Sequence, residues 1–334
     1  MRKIALDADP GVADALALAF ALFDPSVEII AATSVGGLVD TQTSARNLQS
    51  LVAFLDPPRL PRLGLEDENI NASKNLKRHK YSTIKPPFCQ ADASFFDDFN
   101  SSNDFAFPKV ERLSPRSAAS ILRDAVRSHP RETSILALGP LTNVARAFRR
   151  DPELPFLLNR LVVAGGGAPF SPRSNATEFN ICYDRQAARL VFQAPCAKTF
   201  VPVDAVADLV FSFDDLRSFD SRGDVVGQFL CRSLLATLRA RRRTLGSEVV
   251  YLQELAAYFA LVEPSLFSTV EAFSLDEICG DAPAVSQDDE FSARVERRPD
   301  VEIVRQIDVD AVRQKIVDGF QRIAAPSPQS RFST

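Results

Sequence analysis

The chain lacks the features that would mark several kinds of protein. Its five cysteines, at positions 89, 182, 196, 231 and 279, contain no CxxC pair and are odd in number. That argues against a disulfide framework and reads as free thiols in a reducing compartment. No uninterrupted apolar run reaches ~18 residues, so no membrane-spanning helix is expected. The start of the chain, basic and then apolar, superficially suggests a signal peptide, but three aspartates interrupt it, and a cytoplasmic location is expected instead. There is no surplus of positive charge. The formal net charge of −4 provides no field for a phosphate backbone or an anionic membrane, which excludes nucleic-acid polymers and membranes as expected partners. Histidine is scarce, with only His79 and His129 available for proton transfer.

What is present is ordinary for a soluble globular protein: 46% hydrophobic and 25% charged residues in 334. Length alone allows one large α/β domain or two smaller ones. Strand-like and helix-like segments alternate. "KIALDAD" is followed by the helical "DALALAFALF" and the β-branched "VEIIAATSV". Later, "SAASILRDAVRSH" precedes "TSILALG" and "LVVAGGG". Apolar strands separated by helices predict an α/β fold, a mostly parallel central sheet covered by helices on both faces. One domain over residues 1–325 is expected, with an irregular flap at 66–110 and a disordered Pro/Ser-rich tail at 326–334. In such sheets ligands bind at the carboxyl ends of the strands, where Asp7, Asp9, "GG" at 36–37, "GPLTN" at 139–143 and "GGG" at 165–167 fall.

The stretch "IALDADPGVADALALAF" sets Asp7, Asp9 and Asp14 within eight positions. Side chains two apart on a strand share a face, Pro10 and Gly11 turn the chain, and Asp14 enters the first turn of the next helix. Three carboxylates can thus converge on a hard divalent cation, Ca²⁺ or Mg²⁺. A plainer reading is also open: Asp14 complements a helix N-terminus and Asp7 caps a turn. A third reading is aspartyl-phosphate chemistry, which also begins with DxD after a first strand. That class continues DxDGT, whereas this chain reads Asp9-Pro10-Gly11.

Distant motifs separate these readings. "DADPGVADALAL", "ALGPLTNVARAF", "VVAGGG" and "NATEFNICYDRQAA", taken in order, resemble the inosine–uridine preferring nucleoside hydrolase family, from the N-terminus to roughly residue 320. The resemblance implies a Ca²⁺-dependent N-ribohydrolase that cleaves the N-glycosidic bond of nucleosides to base and ribose. It places Asp9 as metal ligand and general base, Asp14 as metal ligand and Thr142 as donor of a backbone carbonyl. Asp7 corresponds to a buried aspartate orienting the loop, Glu178 and Asn180 to residues holding the ribose hydroxyls, and Asn175 to the asparagine preceding them. A helix with His-Asp in the family aligns with "LQELAAYFALVEP", setting Gln253 on the histidine at the substrate and Glu254 on the metal-binding aspartate. Carboxylates suit this chemistry because cleavage builds positive charge on the ribose.

The chain also departs from the pattern. Ala13 stands where a second aspartate is usual, Leu38 replaces the asparagine of "GGN", and Gln253 cannot serve as a general acid. His129 reads as a surface turn residue and His79 as part of a basic solvated face. Tyr251 is the alternative donor nearest Gln253, and "RARRR" at 239–243 reads as a charged helix face. Two functions remain: an active hydrolase with altered base preference or reduced activity, and a non-catalytic relative that binds metal and nucleoside. The partner is a nucleoside or ribosyl small molecule in either case, and relatives imply a homo-oligomer.

Overall fold

The computed structural model describes residues 1–66, 114–166, 179–218, 225–272 and 298–323. The expected 66–110 flap beyond Glu66, Asn175, Glu178, His79 and the 326–334 tail lie outside them.

The first half follows the alternation read from the sequence. Strand β1 (Arg2–Ala8) leads through Pro10-Gly11 into helix α1 (Val12–Phe23), then β2 (Val27–Ser34), α2 (Thr41–Leu55) and β3 (Arg62–Leu65). Helix α3 (Ala118–Ser128), β4 (Thr133–Ala137), α4 (Thr142–Arg150) and β5 (Leu161–Ala164) follow. Then come α5 (Phe179–Tyr183), α6 (Arg185–Gln193), β6 (Lys198–Val201), β7 (Val210–Ser212), α7 (Val225–Leu245), β8 (Val249–Tyr251) and α8 (Gln253–Val262). The chain closes with β9 (Phe267–Ala272), β10 (Arg298–Ile307) and α9 (Val309–Ile323). Local chemistry sets the boundaries. Asp40 caps α2 by accepting from the Gln42 and Thr43 amides, and Ser117 caps α3 by accepting from Ser120, as helix N-termini require.

Among the described residues the main sheet has eight strands in the order β3-β2-β1-β4-β5-β6-β10-β9. Every neighbouring pair is parallel except β9 with β10. Strand alternation feeds two cores. Ile4, Leu6 and Ala8 of β1 join one cluster with α1, α7 and α8, while Ala5 faces the other with α3 and α4. In β5, Val162 and Ala164 go one way and Leu161 and Val163 the other. A sheet apolar on both faces needs helices on both, which explains the unbroken apolar runs in the sequence. The order reverses between β1 and β4, so a crevice opens at their carboxyl ends. Asp9 lies immediately past β1 at that crevice. β7 and β8 form a separate antiparallel pair. No helix of the described residues is long and apolar enough to cross a membrane.

Candidate active site

The crevice is built around Asp9, which is almost fully buried. Glycines on both sides admit its carboxylate. An added Cβ at Gly37 would fall 2.0 Å from Asp9 Oδ2, and one at Gly139 would fall 2.5 Å from Oδ1. The close approach explains why "GG" follows β2 and why glycine follows "LAL" after β4. The Leu38 amide donates to Asp9 Oδ2 at 2.9 Å. Leu38 therefore serves the site through its backbone, a contribution that leaves no mark in the sequence.

Asp14 occupies the third position of α1. Its Oδ2 accepts the Gly11 amide at 3.0 Å, as the helix-terminus reading requires. Its Oδ1 is buried with no hydrogen-bond partner. One oxygen closes the helix start and the other is buried without a partner. Asp7 accepts at Oδ1 from the Thr33 hydroxyl (2.6 Å) and the Asn143 amide (2.9 Å). Asn143 also donates to the Ser34 carbonyl at 2.9 Å, so Asp7 ties together β1, β2 and α4.

Burial dominates the electrostatics. It raises Asp9 well above the ordinary carboxylate range; the Asp14 charge adds to this, the Leu38 amide opposes it and the Glu254 charge adds again. Burial likewise raises Asp14 to about 6 against amide hydrogen bonds. It raises Asp7 to about 7 against its Thr33 and Asn143 donors. Adjacent buried carboxylates carry net charge readily only when something positive compensates them. Oxygen-only donors, an unpartnered carboxylate oxygen and mutual repulsion fit a hard divalent cation. Among the described residues, no three His, Cys, Asp or Glu side chains form a closed group able to hold a metal ion. Asp14, and Glu254 in the first turn of α8, act on Asp9 through their charge.

The remaining residues take separate places. Thr142 opens α4, and its hydroxyl donates to Asp184 Oδ2 at 3.0 Å. Asn180 gives its amide group to the Leu138 and Ala164 carbonyls, at 2.7 and 3.3 Å. Both donations go to carbonyls at the carboxyl ends of β4 and β5. Gln253 is buried at the start of α8 and donates to the Val201 carbonyl at 2.8 Å. Tyr251 is 42% exposed, with the Arg241 guanidinium 5.6 Å from its ring centroid. Arg241 and Tyr251 thus partner each other. His129 caps the carboxyl end of α3, as its turn position suggested.

A doubly wound α/β sheet with buried carboxylates at its switch point defines a small-molecule site of the open-sheet type. The particular family follows from comparison with known proteins. The model of the inosine-uridine preferring nucleoside hydrolases matches residues 4–314, and the chain belongs to that family. Uridine nucleosidase 1 of Arabidopsis thaliana is 30% identical over 268 residues, covering 80% of this chain and 75% of that protein. The non-specific ribonucleoside hydrolase RihC of Salmonella enteritidis PT4 is 28% identical over 323 residues, 96% of each chain. Among solved structures, a purine-preferring ribonucleoside hydrolase from Gardnerella vaginalis superposes with a TM-score of 0.76 at 21% identity. It covers 97% of this chain and 99% of its own.

Proposed function

We propose that the chain is an N-ribosyl hydrolase that releases ribose from nucleosides, dependent on Ca²⁺ or Mg²⁺, with a base preference altered by Ala13, Leu38 and Gln253. The carrying observation is Asp9: a buried carboxylate at the β1–β4 crevice, clasped by the Leu38 amide and crowded by Asp14 and Glu254. Asp9, Asp14, Glu254 and the Thr142 carbonyl would hold the cation. When bound, it supplies positive charge that orients the ribose diol and makes a bound water more acidic.

This chain's own residues supply the rest. Asp9, with its affinity for protons raised by burial and acidic neighbours, accepts the proton of the attacking water. Asn180, Asn175 and Glu178, by family correspondence, receive the ribose hydroxyls. The carboxylates stabilise the positive charge that grows on the sugar ring as the bond to the base breaks. Gln253 can hydrogen-bond a base but cannot protonate it. Nucleosides whose bases leave without strong acid assistance are therefore the preferred substrates.

The test is a reducing-sugar assay over a panel of purine and pyrimidine nucleosides with Ca²⁺. Ribose release that disappears in Asp9→Ala supports the proposal. No ribose from any nucleoside, with Ca²⁺ still raising thermal stability, assigns the chain to the non-catalytic binding relatives instead. The pairing of Gln253 with the Val201 carbonyl favours that second reading.

A further inference from the structure

Beside the crevice lies a buried ion pair that the reaction does not use. Glu66, just past β3, and Arg146, on α4, are 6% and 8% exposed, and Arg146 Nη1 donates to Glu66 Oε1 at 3.1 Å. An isolated buried pair gives weak stabilisation because both charges lose their water, so its geometry invites another explanation. The second oxygen provides it: Glu66 Oε2 accepts the Gly36 amide at 2.8 Å and the Thr41 hydroxyl at 3.5 Å. Gly36 opens the three-residue loop whose third amide, from Leu38, donates to Asp9. The loop is fixed elsewhere by backbone and by Ser44. Val35 donates to the Ala8 carbonyl at 2.9 Å, Gly37 to the Val39 carbonyl at 3.0 Å, and the Ser44 hydroxyl to the Val35 carbonyl at 2.7 Å.

We propose that Glu66 is a positioning residue for Asp9: it anchors the Gly36–Leu38 loop by accepting the Gly36 amide, and Arg146 fixes the rotamer that lets it do so. The loop has little room to take another path. A Cβ on Gly36 would lie 2.9 Å from Thr41 Oγ1, 3.2 Å from Tyr183 Oη and 3.3 Å from Glu66 Oε2. Without the carboxylate, the Gly36 amide loses its buried acceptor and the loop relaxes. The Leu38 amide then leaves Asp9 Oδ2, and the carboxylate can rotate away from its working direction. A buried donor without an acceptor drives such relaxation. The inference rests on the hydrolase reading for its catalytic consequence, but not for its structural one.

The experiment compares Glu66→Met, Glu66→Gln, Arg146→Met and a remote control, Asp151→Asn, which breaks the Arg127–Asp151 pair. In the full chain, amide hydrogen exchange at Gly36 and Leu38 is read alongside steady-state ribose release. Glu66→Met should lose protection at both amides and about 10²-fold in kcat, the scale for a catalytic group misplaced by about 1 Å, with KM changed less than about threefold. Glu66→Gln keeps an acceptor for Gly36 and should recover kcat to within about tenfold of the parent. Arg146→Met should fall between the two, and Asp151→Asn should move neither readout, although it lowers thermal stability. Unchanged protection in Glu66→Met, or Glu66→Gln as slow as Glu66→Met, would overturn the proposal. If the parent releases no ribose, the hydrolase reading fails, and Leu38 exchange alone then decides the positioning role.

Discussion

Replacing Gly37 with alanine tests the geometry around Asp9 by shape alone. The new methyl would stand 2.0 Å from Asp9 Oδ2, 2.7 Å from its Cγ and 2.9 Å from its Cβ, where real contacts essentially never fall below 3.0 Å. Clearing the clash requires the carboxylate to move by about 1 Å, which breaks the 2.9 Å bond from the Leu38 amide. Losing a hydrogen bond to a charged group costs about 1.5–3 kcal/mol. A catalytic group displaced that far costs about 10²-fold in rate. Gly246 supplies the control, since its φ of +63° strains any side chain but nothing lies within 4 Å of an added Cβ. Alanine there should cost about 1–2 kcal/mol through backbone strain alone. Urea midpoints and ribose release are measured for both variants. Similar losses of stability with turnover falling only in Gly37→Ala are expected. Full turnover in Gly37→Ala, or equal losses of turnover in both, would refute the steric reasoning.

Further outcomes follow from the same contacts. Thr33→Val removes a hydroxyl bonded to Asp7 Oδ1 and the Leu6 carbonyl; urea denaturation should show a loss of about 1–3 kcal/mol. Gln253→His restores a group able to protonate a departing base, and ribose release from purine nucleosides should rise more than release from uridine. Arg127 holds Asp151 below the ordinary carboxylate range, so the pair stabilises the fold above the unfolded-state pKa, and that contribution fades as pH falls through the folded-state value. Since Arg127 is nearly half exposed, Asp151→Asn should cost about 1 kcal/mol at pH 7, and the difference between variant and parent should close as pH falls through the lowered folded-state value.

Much of this arrangement was legible in the sequence because it is carried by repeating pattern. Apolar strands between amphipathic helices gave the parallel sheet, and the Asp7–Asp14 spacing gave a strand end followed by a helix start. Asp14 was legible as two rival readings, and the structure bears out the helix-terminus one: Oδ2 closes the helix, while Oδ1 is buried without a hydrogen-bond partner. The Leu38 amide could not be read, because every residue but proline carries one and only the path of the loop aims it. The Glu66–Arg146 pair joins residues 80 positions apart, and no local periodicity encodes such a contact. Leu38 reads as a lost asparagine side chain and Gln253 as a lost acid; what the sequence did not show is the Leu38 amide donating to Asp9 and the Gln253 side chain donating to the Val201 carbonyl.

The central claim is that Asp9 and Asp14 share a divalent ion. Calorimetric titration of Ca²⁺ into chelator-treated protein tests it most directly. One ion bound per chain, with binding abolished in both Asp9→Ala and Asp14→Ala while each variant stays folded, is the predicted result. Absence of any binding to the parent protein, or binding that survives both substitutions, would contradict it.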